Sequence, residues 1–277
     1  MSEGRKTIFI TGASGSLGRA AAEAFVERGW RVLAADISLP SEPVPQAEYF
    51  ELDVTRDGSV SNSAERLSEE GIRLDCVLHM AGLYTMDSFI EIEPETLERM
   101  LEVNLMGVYR VNRALVPLLN RGGKVIITAS ELALTDPLPF NGIYSMTKHA
   151  LAAYAHSLAL ELDLIGVRVV TLFPGAYGDG MTKGAIRAME AMREKTRLYP
   201  EVTERFRRIV ERETGGAKPP EKLAALILRI AEKRRPRFCC APNNSIKLKL
   251  FSALPMPLQA FSLRLLLNGR AAKEEKI

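Results

Sequence analysis

The chain has 277 residues, 47% hydrophobic and 26% charged, which is usual for a soluble globular protein and enough for one large domain. No uncharged apolar run reaches about 18 residues, so no membrane-spanning helix is predicted. The net charge is only +3, but residues 183–277 carry 22 Lys and Arg against 10 Asp and Glu. We expect this basic part to be a solvated surface, with attraction to an anionic surface as the alternative.

The cysteines and histidines indicate the compartment and argue against a metal. Cys76, Cys239 and Cys240 form neither an even framework nor a C-x-x-C pair, which favours a reducing, cytoplasmic compartment. The N-terminal residues run straight into the first strand and leave no room for a signal peptide. The three histidines lack companions at metal-ligand spacing, so no metal site is expected.

Short apolar runs alternate with helical patterns along the whole chain. The strand candidates are 6–11, 31–36, 48–52, 74–80, 124–130, 167–173 and 237–241. They are rich in Val, Ile, Leu and Phe rather than alternating, as in strands that are covered on both faces. A helix is predicted from Pro94 to about Leu119, and another over 145–165. The pattern predicts an α/β protein, a single-domain, doubly wound Rossmann fold over 1–277, with about seven parallel strands and helices on both faces.

Two segments depart from this alternation. Residues 176–217 carry two charged helices and are predicted to form a helical lid over the substrate. Its apolar surface could come from Tyr177, Met181, Ala185, Met189 and Met192, with packing of the lid helices against each other as the alternative for these residues. Residues 243–277 form an apolar, amphipathic C-terminal tail that could lie on a membrane surface, cover a partner subunit or pack over its own cleft.

The stretch "TIFITGASGSLGRA" predicts a phosphate-binding turn after the first strand. Gly12 follows the strand, Gly15 lies in the turn and Gly18 opens the helix, where a β-carbon would block the backbone or the pyrophosphate. The other loop residues expected to bind cofactor are Ser14, Ser16 and Leu17. Asp36 closes the second strand, where a carboxylate can bind the ribose hydroxyls of NAD and would repel the 2′-phosphate of NADP. Arg19 could compensate only from the helix start, so NAD(H) is predicted over NADP(H).

A second cluster is predicted around Tyr144 and Lys148 of "YSMTK". Their spacing of four places both side chains on one face of a helix. A neighbouring ammonium and an oxidised nicotinamide would lower the pKa of the tyrosine from about 10. Ser130 ends the strand "KVIITAS", where its hydroxyl can face the same crevice, and Asn104 lies in the preceding helix.

Together these motifs resemble the short-chain dehydrogenase/reductase family in its compact form, over residues 6 to about 241. The matched pieces are "TGASGSLG", Asp36, "LDV" at 52–54, "AG" at 81–82, "VNLMG" at 103–107, Ser130, "YSMTK" and "PG" at 174–175. The resemblance implies that Tyr144 is the general acid/base, and that Lys148 lowers its pKa and holds the nicotinamide ribose. It further implies that Ser130 binds the substrate oxygen and that Asn104 anchors a water path. The further cofactor contacts that it implies are Asp53 at the adenine edge, Val54, Ala81, Gly82, Pro174 and Gly175.

The chain departs from the family pattern at two places. Gly15 and Ser16 are swapped relative to the compact form, and the glycine spacing resembles the larger, epimerase-like branch. The short chain and the interval from Ser130 to the tyrosine argue against that branch. His79 and Met80 replace the usual pair of asparagines, which puts in question the bonding that steadies the central strands.

The stretch "LPFNGIYSMTKHALAAYAHSLALEL" is similar to the 17β-hydroxysteroid and retinol dehydrogenases of the family. This implies that the protein interconverts a secondary alcohol and a ketone, or an alcohol and an aldehyde, on a bulky hydrophobic substrate: a hydroxysteroid first, otherwise a retinoid or lipid-like compound. The alternatives are a 3-oxoacyl or other carbonyl reductase and a non-catalytic dinucleotide-sensing module. We expect a homo-oligomer without a nucleic-acid partner. Glu131 is expected to face solvent, with substrate contact as the alternative.

Overall fold

A seven-stranded sheet lies at the centre of the computed structural model, which describes residues 4–178, 180–214 and 217–268. The strands are β1 (Thr7–Thr11), β2 (Arg31–Asp36), β3 (Ala47–Glu51), β4 (Leu74–His79), β5 (Leu119–Thr128), β6 (Arg168–Leu172) and β7 (Cys239–Cys240). All pairings are parallel, in the order β3-β2-β1-β4-β5-β6-β7. Strands are added outwards from β1 to β3 on one side of the sheet and from β4 to β7 on the other, so the strand order reverses between β1 and β4. This confirms the predicted doubly wound fold.

Helices cover both faces of the sheet. They are α1 (Ser16–Glu27), α2 (Asp57–Glu69), α3 (Pro94–Leu101), α4 (Gly107–Leu115), α5 (Gly142–Asp163), α6 (Gly180–Lys195), α7 (Pro200–Thr214), α8 (Pro220–Glu232), α9 (Ile246–Ser252) and α10 (Met256–Asn268). Successive strand residues point to opposite faces. Phe9 therefore joins the buried cluster that contains Leu151 of α5, whereas Ile8 and Ile10 join the cluster that contains Phe25 of α1.

The helix predicted from Pro94 to about Leu119 is interrupted and ends earlier than expected. α3 passes into a π-helical segment, Glu102–Met106, before α4 begins. A 3-10 turn over Val116–Leu118 follows, and Leu119 already belongs to β5. Pro117 lies in this turn, and because it has no backbone N–H it cannot continue a helix. The π-helical segment contains Asn104, one of the predicted site residues.

The predicted lid and tail helices pack against each other. Met189 and Met192 of α6 are buried with Phe206 of α7 and Leu267 of α10. Arg205 Nη1 also donates a hydrogen bond of 2.9 Å to the carbonyl oxygen of Leu267. α10 is thereby fixed to α7 rather than extended from the body.

Candidate active site

The glycine loop after β1 has two positions at which only glycine fits. Gly12 has a φ of +70°, and a Cβ there would lie 2.4 Å from the backbone nitrogen of Ala81. A Cβ on Gly18 would lie 2.1 Å from the carbonyl oxygen of Gly12. Gly15 is less restricted, because its Cβ would lie 3.4 Å from the same oxygen. Ser16 begins α1 directly after Gly15, so the swap leaves the helix N-terminus, a site suited to phosphate, in place.

Asp36 lies beside this loop at the end of β2. Its Oδ2 accepts a hydrogen bond of 2.8 Å from the backbone N–H of Ser14, and its Oδ1 accepts one of 2.8 Å from Ile37. The carboxylate is therefore fixed next to the loop, as a site for a ribose diol requires. Arg19 is engaged elsewhere, with Nε 3.0 Å from Glu23 and Nη1 2.9 Å from the carbonyl oxygen of Glu42.

Asp53 follows β3 and turns towards its own chain. Its Oδ1 accepts hydrogen bonds from the backbone N–H and the hydroxyl of Thr55, at 2.9 and 2.7 Å. Burial raises the pKa of Asp53. These two hydrogen bonds, together with the positive charges of Arg99 and Arg56, lower it by more, so the net shift is downward. Val54 is buried against Gly107, where a Cβ would lie 2.8 Å from Val54 Cγ2. The predicted adenine contacts of both residues stay a prediction.

Ser130, Tyr144 and Lys148 meet where β5 ends. Tyr144 and Lys148 lie in the first two turns of α5 and are only 3% and 5% exposed. Ser130 and Tyr144 line the same small cavity, and the Ser130 side chain acts to lower the pKa of the phenol. Lys148 Nζ donates to the carbonyl oxygen of Thr128 at 3.0 Å and lies 5.6 Å from the centre of the Tyr144 ring. The structure therefore brings together three residues that the sequence separates: Ser130 lies 14 residues before Tyr144, and Lys148 lies four residues after it.

Burial controls the charge of this cluster. It raises the pKa of Tyr144 to about 12, although the side chain of Ser130 acts in the opposite direction. Burial also lowers the pKa of Lys148 to about 8. In the protein by itself an uncharged phenol is favoured, because water is excluded. The lowered tyrosine pKa that we expected depends also on an oxidised nicotinamide and stays a prediction. A neutral Tyr144 holds the proton that a carbonyl reduction needs.

Asn104 connects the site to the loop after β4. Its Oδ1 accepts a hydrogen bond of 2.7 Å from the backbone N–H of Leu83, and its Nδ2 donates to the Leu83 carbonyl oxygen at 2.9 Å. Nδ2 also lies 3.1 Å from Thr147 Oγ1, which donates to the carbonyl oxygen of Tyr144. The π-helical turn positions Asn104 for these contacts, as such turns often do at functional sites. Its role in a water path stays a prediction.

The pair that replaces the family asparagines is itself bonded within the core. His79 Nε2 lies 2.8 Å from Asn112 Oδ1, and burial lowers the pKa of His79 to about 4. Thr128 Oγ1 donates to the sulfur of Met80 at 3.0 Å, which links the ends of β4 and β5. The central strands are therefore steadied by other partners than the family pattern implies.

Two adjoining cavities open at Ser130. The smaller, about 90 Å³, is lined by Leu17, Met80, Gly82, Leu83, Tyr84, Thr128, Ala129, Ser130, Tyr144, Lys148, Pro174, Gly175 and Tyr177. The larger, about 420 Å³, shares Tyr84, Ser130, Pro174, Gly175 and Tyr177 with it. The tight glycine loop, the fixed Asp36 and the small cavity fit a nicotinamide dinucleotide. Such a cofactor would be held by these residues and by Lys148.

The lid residues only partly line the larger cavity. Tyr177 and Ala185 lie in its wall. Met189 and Met192 do not; they are 0% and 1% exposed and pack the lid helices together. For these two residues the structure agrees with the alternative, packing between the lid helices, and the side chain of Met181 lies outside the described residues. The tail also lines the cavity, in agreement with the alternative that it packs over its own cleft, through Leu248, Phe251, Leu263, Leu266 and Leu267.

The fold and the residues at its strand ends define a class: oxidoreductases that use a nicotinamide dinucleotide. The model of the short chain dehydrogenase family matches residues 6–190. The chain belongs to that family, and is an NAD(P)-dependent oxidoreductase that acts on CH–OH groups.

Relatives extend this similarity over nearly the whole chain. The chain is 27% identical over 263 residues to the 3-ketodihydrosphingosine reductase of Bacteroides thetaiotaomicron, covering 93% of this chain and 96% of that protein. It superposes with a TM-score of 0.75 on a short-chain dehydrogenase of Streptomyces avermitilis, at 27% identity and 95% and 96% coverage. An alcohol dehydrogenase of Thermococcus sibiricus, solved with 5-hydroxy-NADP, matches with a TM-score of 0.68, 25% identity, and 86% and 95% coverage. The hydroxysteroid and retinol cluster stays a prediction.

Proposed function

We propose that the protein is an NAD(H)-dependent enzyme that interconverts a secondary alcohol and a ketone on a bulky, lipid-like substrate. The observation that carries this proposal is the position of Ser130, which lies in the walls of both the small cavity and the large one. The large cavity is within the size range of ligand pockets, and most of its wall is apolar. The similarity to a reductase of a long-chain keto lipid favours that substrate class over the hydroxysteroid expected from the sequence.

In this proposal the bound dinucleotide supplies or accepts the hydride. Ser130 holds the carbonyl oxygen by a hydrogen bond while Tyr144 gives its phenolic proton to that oxygen, so that ketone, hydride and proton yield the alcohol. Lys148 stabilises the phenolate that remains, and its low pKa allows it to return a proton to Tyr144. Oxidation of the alcohol runs through the same steps in reverse.

The preference for NAD(H) is supported by Asp36. Its carboxylate is fixed beside the glycine loop by two hydrogen bonds, where it would accept from ribose hydroxyls and repel a 2′-phosphate. Arg19 is paired with Glu23 and bonded to Glu42, which makes it unsuited to bind that phosphate.

We also propose that the tail lies on an anionic lipid surface. No helix among the described residues is long and apolar enough to span a bilayer. The outward side of α9 and α10 nevertheless exposes Leu250, Met256 and Phe261 by 66%, 81% and 60%, and the same helices carry the basic residues Lys249 and Arg264. Apolar side chains flanked by cations are typical of helices that lie in a membrane interface. Because the inner side of both helices lines the large cavity, a lipid substrate would enter there.

The expected homo-oligomer is supported by a different surface. Leu160, Leu164 and Ile165, at the end of α5, are 66%, 87% and 61% exposed. Neighbouring apolar side chains of this size are commonly covered by a second copy.

The test follows nicotinamide absorbance with NADH and NADPH in separate reactions, against a long-chain keto lipid, a ketosteroid and retinal. We expect turnover of the keto lipid with NADH and none in the Tyr144→Phe variant. Turnover with NADPH alone would overturn the cofactor preference, and turnover of the ketosteroid alone would restore the sequence expectation. Cofactor binding without turnover of any carbonyl would favour the sensing module.

A further inference from the structure

A carboxylate lies in the wall of the large cavity immediately after Ser130. Glu131 was expected to face solvent, but it is half-buried and lines the cavity. Of the described residues in that wall, Glu131 is the one with an acidic side chain. Most of its neighbours there are apolar, so this acid is not explained by contact with water.

The Glu131 carboxylate points towards the place where the two cavities meet. Its Oε2 accepts a hydrogen bond of 2.6 Å from the backbone N–H of Ser245. Its Oε1 lies 3.2 Å from the position that a Cβ on Gly175 would occupy. Gly175 and Ser130 line both cavities, so the acid lies next to the residue proposed to hold the carbonyl oxygen.

Two lysines accompany this acid: Lys247 lines the same cavity, and Lys249 acts on the carboxylate through its charge. Burial raises the pKa of Glu131, while the Ser245 N–H and the positive charge of Lys249 lower it. A half-buried carboxylate is stabilised best by a partner that combines positive charge with hydrogen-bond donors. An ammonium group of a substrate provides both, and it would reach the Glu131 oxygen that faces Gly175.

We propose that Glu131 binds an ammonium group on the carbon next to the reacting carbonyl, so that the preferred substrate is a long-chain amino ketone. This inference rests on the proposed function and narrows its substrate. With the carbonyl oxygen at Ser130 and the ammonium at Glu131, the alkyl chain would lie along the apolar wall formed by Leu248, Phe251 and Leu263. A ketone that lacks the amine would add no positive charge beside the carboxylate to that of Lys249.

A purely structural role for Glu131 makes a different prediction. Ser245 is the N-cap of α9, so the carboxylate could serve only to hold that helix. That role needs a hydrogen-bond acceptor, which the amide oxygen of a glutamine also provides. Binding an ammonium needs the negative charge, which glutamine lacks. The variant Glu131→Gln therefore separates the two roles.

The experiment compares kcat/KM for a long-chain 2-amino-3-ketone and for the same ketone without the amine. We expect the wild type to prefer the amino ketone. In Glu131→Gln we expect kcat/KM for the amino ketone to fall about tenfold to a hundredfold, and that for the plain ketone to stay within about twofold. The matched control is Asp136→Asn, because Asp136 also holds the tail, through Gln259 Nε2 at 2.7 Å, but does not line the cavity. It should affect both ketones equally.

Two outcomes would overturn the proposal: no preference in the wild type, or an equal loss for both ketones in Glu131→Gln. If the wild type reduces neither ketone, the proposed function fails, and the proposal for Glu131 is then decided by binding. Calorimetry with a long-chain 2-amino alcohol and its amine-free counterpart would support it if a preference for the amine disappears in Glu131→Gln. Equal binding of both alcohols by the wild type would overturn it.

Discussion

The backbone N–H of Ser14 donates a hydrogen bond of 2.8 Å to Oδ2 of Asp36. The acid at the end of β2 is thus part of the glycine loop as well as a neighbour of it. A single side chain fixes the loop that suits the pyrophosphate and supplies the charge proposed to choose between two cofactors. The two roles can be separated, because only the second depends on charge.

Replacing Asp36 by Asn keeps an oxygen for the Ser14 N–H and removes the charge. We expect the ratio of kcat/KM for NADH to that for NADPH to fall about tenfold or more, because the repulsion of a 2′-phosphate is lost. Steady-state kinetics with both cofactors measures this ratio. Glu51→Gln, an exposed acid on the neighbouring strand β3, is the control and should leave the ratio unchanged. An unchanged ratio in Asp36→Asn would remove Asp36 as the selector.

Two glycines of the loop, Gly15 and Gly18, should respond differently to substitution by alanine. Gly18→Ala places a Cβ 2.1 Å from the carbonyl oxygen of Gly12, so the loop must move and cofactor affinity should fall at least tenfold. Gly15→Ala places its Cβ 3.4 Å from the same oxygen, an ordinary contact. The affinity of this variant for the cofactor should stay within about threefold of that of the wild type. Titration of dinucleotide binding by calorimetry compares the two. Equal affinities would show that the loop is not held by this contact.

Tyr144→Phe removes the hydroxyl and leaves the ring in its buried position. We expect kcat to fall about 10²- to 10⁴-fold, the usual contribution of a general acid, while the dissociation constant of the cofactor stays within about threefold. Tyr154→Phe is the control, since its hydroxyl accepts from Asn112 Nδ2 at 3.1 Å and lines neither cavity. Turnover that survives in Tyr144→Phe would assign the proton to another group.

Lys148 should make the protein more stable as the pH rises above neutrality. Its pKa is lowered to about 8 in the fold, against about 10.4 in an unfolded chain. Between these values the unfolded chain binds more protons, so the free energy of unfolding increases with pH. From pH 7 to pH 9.5 we expect the wild type to gain about 2 kcal/mol more than Lys148→Met.

Urea unfolding of both proteins at the two pH values measures this difference. Other groups, among them Cys76, whose pKa is raised to about 12 by burial, cancel because they are present in both proteins. Work above pH 10 is avoided, because the unfolded chain would then ionise Tyr144 before the folded one does. An equal pH dependence in the two proteins would mean that Lys148 is not desolvated.

The exposed side of the tail should bind anionic vesicles and not neutral ones. We expect the double variant Met256→Ser/Phe261→Ser to lose at least tenfold in vesicle affinity, since both side chains are more than half exposed and available to lipid. Flotation with vesicles at low and high salt measures binding, which should weaken with salt. Leu39→Ser/Leu198→Ser, at two exposed leucines outside both the tail and the proposed subunit interface, is the matched control. A changed oligomeric state in the tail variant would instead assign that surface to a partner subunit.

The sequence predicts which residues meet at the candidate site better than it predicts their surroundings. Ser130 could be found because it ends a predicted strand, and Tyr144 and Lys148 because a spacing of four places them on one face of a predicted helix. Both features are visible in a short stretch of sequence. Glu131 could not be interpreted, because its partner Ser245 lies 114 residues further along the chain. The raised pKa of Tyr144 was also missed, since burial depends on side chains from distant segments that no spacing rule brings together.

Helix ends and core partners were missed for related reasons. The π-helical turn at Asn104 lies inside a continuous helical pattern, so the sequence indicates one helix where the structure has two. His79 and Met80 break the family pattern, but only the fold shows that Asn112 and Thr128 are their partners. The seven strands, by contrast, were identified within a few residues except at the start of β5 and in the short β7.

Ten of the 23 residues in the wall of the large cavity come from the part of the chain that follows the family match. That match ends at residue 190, whereas Phe206, Leu248 and Phe251 of the wall come later. The proton donor and the glycine loop all lie before that point. Substitutions in the last third of the chain can therefore change which substrates bind without disturbing the residues that carry out the reaction. Enzymes that descend from one ancestor could in this way differ in substrate and keep the same reaction.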